Sequence, residues 1–147
     1  MQIKAVINEK YKDAEIHVCK NQMDDEVHNL MKDITELMNQ DLIVQAENGD
    51  RTVLPYKDVV SFYSEKQKVF AKGKDGIYTV PKKLYELEKE LDDKRFIRIS
   101  KSEIINMKQI QKLDMSLTGT IRVLMRDGSE TYTSRRNVTK LKQALGI

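Results

Sequence analysis

The stretch FIRISKSEIINM, residues 96–107, contains two apolar runs separated by a short polar segment. The first run has the composition of a buried β-strand. A strand has little reason of its own to continue into Ser100, Lys101 and Ser102, which carry hydroxyl or ammonium groups. Lysine and serine side chains hold phosphate groups and base edges. The stretch therefore predicts a strand that delivers a basic, hydroxyl-rich loop toward a polyanion.

Each polar residue of this stretch also has a structural interpretation. Lys101 could be an ordinary surface lysine, and Ser102 could cap the turn that follows it. Hydrogen bonds to buried backbone groups explain Asn106 more simply than contact with DNA does. Arg98 alternates with apolar neighbours, and an intramolecular salt bridge accounts for it better than a base contact.

From residue 42 onward, short apolar runs alternate with turn residues, which is the pattern of an antiparallel sheet. We predict one hairpin that pairs residues 68–71 with 77–80, and a second that pairs 121–125 with 130–133. An Asp-Gly pair in each connection supplies the positive φ that tight turns need.

Two helices are predicted within this sheet-rich part. The first covers residues 81–91, with Pro81 in its first turn, and the second covers residues 137–145. Each has apolar residues at helical spacing on one face. These residues are Leu84, Leu87 and Leu91 in the first helix and Val138, Leu141 and Leu145 in the second.

The N-terminal part predicts a small ββα unit. Residues 2–7 and 14–19 have the composition of short strands, and a helix with a regular apolar stripe follows them. Asn21 is the expected N-cap, with three acidic residues placed near the positive end of the helix dipole. The stripe comprises Val27, Leu30, Met31, Ile34, Leu37 and Met38.

Length and composition limit the possible classes of protein. The 147 residues suit one domain with a small appendage, and we place the boundary between residues 45 and 46. Cys19 is the only cysteine, so no intramolecular disulfide can form and a reducing compartment is expected. The start of the chain lacks the apolar core of a signal peptide, and no run of about 20 apolar residues occurs. We therefore expect a soluble, cytoplasmic protein.

Charge is distributed unevenly along the chain. Residues 1–45 carry 5 basic and 9 acidic residues, which leaves 21 of the 26 basic and 14 of the 23 acidic residues to the remainder. The C-terminal part is therefore basic and the N-terminal part acidic. A basic domain favours a polyanionic partner, although many basic domains are merely soluble.

The sequence gives little support for catalysis. His17 and Cys19 would share a strand face, but two further ligands at metal spacing are missing, and no glycine-rich phosphate loop is present. Cys19 also lacks a base with an orienting group, so a buried structural thiol is the expected role. We predict no cofactor, no metal and no enzymatic activity.

The segment TSRRNV, residues 133–138, is the strongest single indication of nucleic-acid binding. If Ser134 is an N-cap, Arg135 and Arg136 fall in the first helical turn, where the helix dipole disfavours cations. A bound phosphate would reverse that effect, and a guanidinium can reach guanine O6 and N7 in a major groove. The alternative is that both arginines pair with surface acids such as Glu103 or Glu130.

Taken in order, these motifs resemble the LytTR DNA-binding domain of bacterial transcription regulators. Residues 54–80 resemble the opening strands and first hairpin of that family, and residues 84–91 its helix. FIRISKSEIINMKQI, residues 96–110, is similar to the signature that often reads F-x-R-x-H-R-S-x-x-V-N. Residues 119–145 resemble the terminal hairpin, the Ser-Arg turn and the last helix. One difference is Ser100, where many members carry His.

The resemblance covers residues 46–147 and implies a mostly β domain of antiparallel sheets. Together with the N-terminal ββα segment that the residues themselves predict, the expected fold class is α+β. It implies that loops, instead of a recognition helix, meet successive major grooves of double-stranded DNA, usually at direct repeats. Carried over by position, Arg136 is the expected base reader, and Ser102 and Arg135 are expected phosphate contacts. The other residues that the resemblance places at DNA are Lys66, Gln67, Lys68 and Lys101.

The sequence therefore supports a sequence-specific transcription regulator, with RNA polymerase as the partner that the family implies. The N-terminal segment is expected to form a homodimer contact or to bind a restraining partner, for which some stand-alone members have a small membrane protein. Packing of the helix stripe onto the predicted strands is the alternative. A second hypothesis is a basic interaction module that holds an acidic partner or membrane surface and retains DNA without regard to sequence.

Overall fold

The computed structural model describes residues 1–38 and 41–147. The chain divides into two compact units, Met1–Asn39 and Gln40–Ile147. In the part described, no helix is long and apolar enough to cross a membrane.

Within residues 1–38 the N-terminal unit contains one helix, α1 (Asp25–Met38), which confirms the predicted helix. Its N-cap is Asp24 rather than Asn21, because the Asp24 carboxylate accepts a hydrogen bond from the Val27 amide at 3.0 Å. Val27 is buried, whereas Leu37 of the same stripe is 64% exposed.

The two strands predicted before α1 are wrong. Residues 2–7 and 14–19 adopt no strand, and Ile3, Val6 and Ile7 are exposed. A two-stranded hairpin without a third strand or a packed face is only marginally stable in water. The apolar content of these segments was therefore insufficient evidence for pairing. Cys19, expected to be buried, is also exposed.

The C-terminal unit is built on a seven-stranded antiparallel sheet with a separate three-stranded sheet. The order of the large sheet is β2-β1-β5-β4-β3-β7-β6, and that of the small sheet is β10-β9-β8. The strands are β1 (Asp41–Gln45), β2 (Arg51–Pro55), β3 (Ser61–Glu65), β4 (Lys68–Lys72), β5 (Ile77–Val80), β6 (Phe96–Ser100), β7 (Glu103–Asn106), β8 (Ile110–Asp114), β9 (Arg122–Met125) and β10 (Glu130–Tyr132). The helices are α2 (Leu84–Glu90) and α3 (Val138–Leu145), and single 3₁₀ turns cover Tyr56–Asp58, Met107–Gln109 and Arg135–Asn137.

Both predicted hairpins are confirmed. Val69 lies opposite Val80 in the first, and Glu130 lies opposite Leu124 in the second. Gly128 has a φ of 87°, as an Asp-Gly turn requires, whereas Gly76 does not adopt a positive φ.

The strand β1 belongs to the large sheet, because it pairs with β2 along its length and with β5 at Gln45. The division between the compact units consequently lies before β1 and not after residue 45. The change in residue pattern marked the boundary region, but it could not show to which of the two units β1 belongs.

The β6–β7 hairpin explains why the stretch 96–107 is so apolar. Phe96 and Ile104 pack in the core cluster that includes α2, while Ile97 and Ile105 pack in a second cluster with the small sheet and α3. Successive side chains of a strand point to opposite faces, so a strand buried on both faces needs apolar residues at consecutive positions. This hairpin joins the two halves of the core.

The two predicted helices supply the remaining cover for the core. Leu84, Leu87 and Leu91 are buried as predicted, although α2 begins at Leu84 and not at Pro81. In α3, Leu141 is fully buried, and Val138 and Leu145 are partly buried and pack against the same cluster.

Candidate nucleic-acid interface

The first exposed turn joins β3 to β4 through Lys66 and Gln67. Because Glu65 lies opposite Lys68 in the ladder, the turn contains only these two residues. Their φ angles are 51° and 65°, so both occupy the left-handed region that two-residue hairpins favour but that side chains other than Gly, Asn and Asp enter reluctantly. The chain therefore has two long polar side chains at positions where an Asn-Gly pair would adopt the left-handed conformation at a lower cost in free energy.

The second exposed turn, Lys101–Ser102, joins β6 to β7. The Ser102 amide donates to the Ser100 hydroxyl at 3.2 Å, and the Ser64 amide donates to the Ser102 carbonyl at 2.9 Å. Ser100 thus serves the turn itself by accepting from its backbone. The bond from Ser64 attaches the second turn to β3, directly beside the first turn.

Arg98 supports the second turn through hydrogen bonds to its backbone. Its Nε donates to the Ser100 carbonyl at 2.7 Å, its Nη2 donates to the Lys101 carbonyl, and its Nη1 lies 3.0 Å from the Glu88 carboxylate. The predicted intramolecular salt bridge of Arg98 is confirmed. The guanidinium holds the two carbonyls in addition to making that salt bridge.

The third exposed turn is the 3₁₀ turn Arg135–Asn137, which leads directly into α3. The Ser134 amide donates to the Ile99 carbonyl at 2.8 Å, so this turn is attached to the end of β6. Ser134 precedes the helical turn as predicted, but its hydroxyl accepts from the Asn137 side chain at 2.7 Å and caps no backbone amide.

The predicted alternative for the two arginines, pairing with Glu103 or Glu130, is wrong. Glu130 pairs with Arg122, and Glu103 accepts a hydrogen bond from the Thr131 hydroxyl at 2.5 Å. Arg135 and Arg136 are both exposed, and within residues 1–38 and 41–147 neither forms a salt bridge.

Glu103 joins the start of β7 to the small sheet. Its carboxylate is partly buried, and this burial raises the pKa of Glu103 above its usual value, while the hydrogen bond from Thr131 acts in the opposite direction. Thr131 lies in β10, shortly before the segment that leads into the third turn. Glu103 therefore contributes to the framework between the second and third turns.

The three turns lie at one end of the large sheet. The strand β7 is antiparallel to β3, so the β6–β7 turn and the β3–β4 turn are at the same end, and the bond from Ser134 to Ile99 brings the third turn to the end of β6. We call this set the three-turn surface. It consists of Lys66, Gln67, Lys68, Lys101, Ser102, Arg135 and Arg136, all of which are exposed.

The cations of the three-turn surface differ from several other cations of the same unit. Lys72 lies 3.0 Å from Asp127, Lys82 pairs with Glu90, and Arg122 pairs with Glu130. Among the residues that the structure describes, no carboxylate lies within salt-bridge distance of any of the five cations of the surface. The surface is basic and free to neutralise phosphates.

Asn106 is structural, as expected. It is fully buried, its side chain donates to the Val59 carbonyl at 2.8 Å, and it accepts from the Lys108 amide at 3.0 Å. Glu88 is the residue that sequence reasoning missed. Nothing in LYELEKEL distinguishes Glu88 from the neighbouring acids, since its partner Arg98 lies in a different element.

This fold and this surface define a class of β-rich domain that carries exposed basic turns at one end of its large sheet. The model of the LytTr DNA-binding domain family matches residues 50–146 of the chain. The chain belongs to the LytTR DNA-binding domain family.

Several known proteins are similar to the chain. A Staphylococcus aureus (strain MSSA476) protein described as an HTH-type transcriptional regulator is 32% identical over 147 residues, which cover 100% of this chain and 99% of that protein. A protein of the same description from strain NCTC 8325 is 31% identical over the same extent. The similarity therefore includes the N-terminal unit.

A solved structure has the same fold. It is the LytTr DNA-binding domain of a protein described as a methyl-accepting/DNA response regulator from Bacillus cereus, with a TM-score of 0.70 and 20% sequence identity. The match covers 74% of this chain and 99% of that one. This confirms the predicted α+β fold.

Proposed function

We propose that the chain is a sequence-specific DNA-binding regulator of transcription that reads the major grooves of a direct-repeat site through the three-turn surface. The observation that carries this proposal is the gathering of five exposed cations, none paired within the described part of the chain, on or directly beside three turns at one end of the large sheet. Arg and Lys that neutralise phosphates supply affinity for DNA, and attachment of the turns by backbone hydrogen bonds supplies a fixed register. Membership of the LytTR family and the description of the Staphylococcus aureus relatives support it.

Turns, rather than a helix pair, are the elements proposed to enter the grooves. A helix-turn-helix needs two consecutive α-helices, and in residues 1–38 and 41–147 strands separate α1 from α2 and α2 from α3. The relatives are described as HTH-type regulators. In this chain the proposed DNA contacts come instead from the Lys66–Gln67, Lys101–Ser102 and Arg135–Arg136 turns.

Each turn has a proposed role in recognition. Arg136 is exposed and its guanidinium is suited to a bidentate contact with guanine O6 and N7. Arg135 packs its stem near Gly119, with its Nε 3.5 Å from the position that a Cβ would occupy there, and we assign it with Ser102 to phosphate. Lys101 and the Lys66–Gln67 turn are assigned to the other grooves.

The test is selection of bound sites from random duplex DNA at about 150 mM salt, followed by titration of the selected site against a shuffled duplex. Non-specific binding has a Kd of about 10⁻⁴ to 10⁻⁶ M under such conditions. We expect a direct-repeat motif bound at least about 10³-fold more tightly than the shuffled duplex. Equal binding of both duplexes would refute specific recognition and favour a basic interaction module that holds an acidic partner or membrane surface.

The N-terminal unit is proposed to mediate dimerisation or contact with a restraining partner. A dimer would place two copies of the domain on a direct repeat, and the proposed location of the protein is the cytoplasm. Leu37 on α1 is 64% exposed, and apolar residues of the preceding segment are also exposed. Light scattering on the full chain and on Leu37→Asp would measure the mass. A dimer that Leu37→Asp converts to a monomer is expected, whereas a monomeric wild type would remove dimerisation.

A further inference from the structure

Glu88 on α2 contacts the residue that supports the second turn and a residue of the helix that follows the third turn. One carboxylate oxygen lies 3.0 Å from Nη1 of Arg98, and the other lies 3.5 Å from Nζ of Lys140. Arg98 holds the Ser100 and Lys101 carbonyls of the second turn. Lys140 lies in α3, which continues directly from the third turn.

The contact between Glu88 and Arg98 is partly withdrawn from water. The Arg98 side chain is 19% exposed and that of Glu88 is 41% exposed. A charged hydrogen bond in such a position constrains geometry more than one between two freely solvated side chains. Three of the five N–H groups of the Arg98 guanidinium already have acceptors, one of them the Glu88 carboxylate, so Arg98 is better placed to support the turn than to bind a phosphate.

We propose that Glu88 is a positioning residue that fixes the second and third turns relative to each other, and that this spacing contributes to recognition of the specific DNA site. The inference rests on the proposed function, because spacing matters only if both turns meet the same duplex. Its physical basis is that one carboxylate oxygen contacts Arg98, which holds the second turn, and the other contacts Lys140 of α3, the helix that continues from the third turn.

The chain offers a matched control on the same helix. Glu90 pairs with Lys82, and neither residue belongs to or supports the three turns in the described part of the chain. Glu88→Gln and Glu90→Gln each remove one negative charge, so the electrostatic attraction to DNA increases in both variants. A loss of specific affinity in Glu88→Gln alone therefore cannot come from the change in charge, which acts in the opposite direction.

The experiment measures the affinity of each variant for the selected site and for a shuffled duplex. Substitutions within a coupled network change coupling by about 2- to 30-fold in equilibrium terms. We expect Glu88→Gln to weaken specific binding within that range while non-specific binding stays the same or becomes tighter, and Glu90→Gln to weaken neither. Equal specific affinities for the two variants would overturn the inference.

A second measurement does not depend on DNA. Backbone amide NMR of the full chain should show changed shifts and faster hydrogen exchange for Lys101, Ser102 and the third turn in Glu88→Gln, with no such change in Glu90→Gln. Absence of a specific site in the wild type would refute the proposed function, and the amide measurement would still decide whether Glu88 positions the turns. Unchanged turn amides in Glu88→Gln would overturn the inference.

A variant of Arg98 distinguishes support from direct contact. Arg98→Gln removes the hydrogen bonds to both carbonyls together with the charge. If Arg98 supports the turn, specific affinity falls while the slope of log K against log salt is unchanged. A slope smaller by about 0.9 would identify Arg98 as a phosphate contact and overturn its supporting role.

Discussion

We expect the residues of the Lys66–Gln67 turn to lower the free energy of unfolding and to strengthen DNA binding. The double substitution of Lys66→Asn with Gln67→Gly tests this directly. Both residues have left-handed φ angles, 51° and 65°. Such a conformation costs a residue with an ordinary side chain about 1 to 2 kcal/mol. Glycine removes that cost at position 67. It also lowers the free energy of unfolding by about 0.5 to 1 kcal/mol, because glycine increases the conformational entropy of the unfolded chain.

The net effect of Gln67→Gly is therefore a stabilisation between about 0 and about 1.5 kcal/mol. Lys66→Asn should add a few tenths of a kcal/mol, since asparagine tolerates the left-handed region better than lysine does. Urea unfolding followed by circular dichroism would measure the free energy of unfolding of the wild type, both single variants and the double variant.

Binding to the selected DNA site should change in the opposite direction. Lys66→Asn removes an exposed cation of the three-turn surface, so the salt slope should fall by about 0.9 if that cation neutralises one phosphate. Gln67→Gly should leave the salt slope unchanged. A double variant that is both more stable and equally tight on DNA would refute a functional reason for the strain, and one that is less stable would refute the assigned backbone conformation.

Four further substitutions test other parts of the domain. Asn106→Leu leaves the Val59 carbonyl and the Lys108 amide without partners, so the free energy of unfolding should fall by about 2 to 5 kcal/mol in urea; a loss below about 1 kcal/mol would show that water or a local shift replaces these bonds. Because burial raises the pKa of Glu103 above its unfolded value, the stability linked to its protonation is complete below the unfolded pKa and is lost as pH rises through the folded pKa. Glu103→Gln should therefore gain stability relative to wild type as the pH rises from about 4 to about 7 in urea unfolding, and a relative loss over that range would contradict the sign. Arg136→Ala should weaken binding by about 1 to 3 kcal/mol and reduce the preference at one base pair. Arg135→Ala should weaken binding to all sequences alike and lower the salt slope by about 0.9. Competition titrations that show undiminished discrimination by Arg136→Ala would remove its assignment as base reader.

Local sequence features predicted much of the C-terminal unit. The two hairpins and the terminal helix lie where turn residues and apolar spacing placed them. These features depend on residues that are close in sequence, and short-range rules govern them. The same rules failed at residues 2–7 and 14–19, where β composition was present but no neighbouring strand within the described residues stabilises it.

The residues of the three-turn surface could be named from the sequence, but their arrangement could not. Family resemblance indicated Lys101 and Arg136, and the structure brings their turns to one end of the sheet. The support from Glu88 through Arg98 could not be predicted, because many acids could have paired with Arg98. Only the packing of α2 beside β6 selects one.

The sequence by itself determined that residues 96–107 would be buried on both sides of a polar turn, because apolar residues at consecutive strand positions can be satisfied only by cover on both faces. The tertiary structure decided what provides that cover, with α2 on one face and the small sheet with α3 on the other. It also decided that Ser64 and Ser134 attach the turns to one another through backbone hydrogen bonds. Such pairings join residues far apart in the chain, and strand order, rather than any local pattern, brings them together.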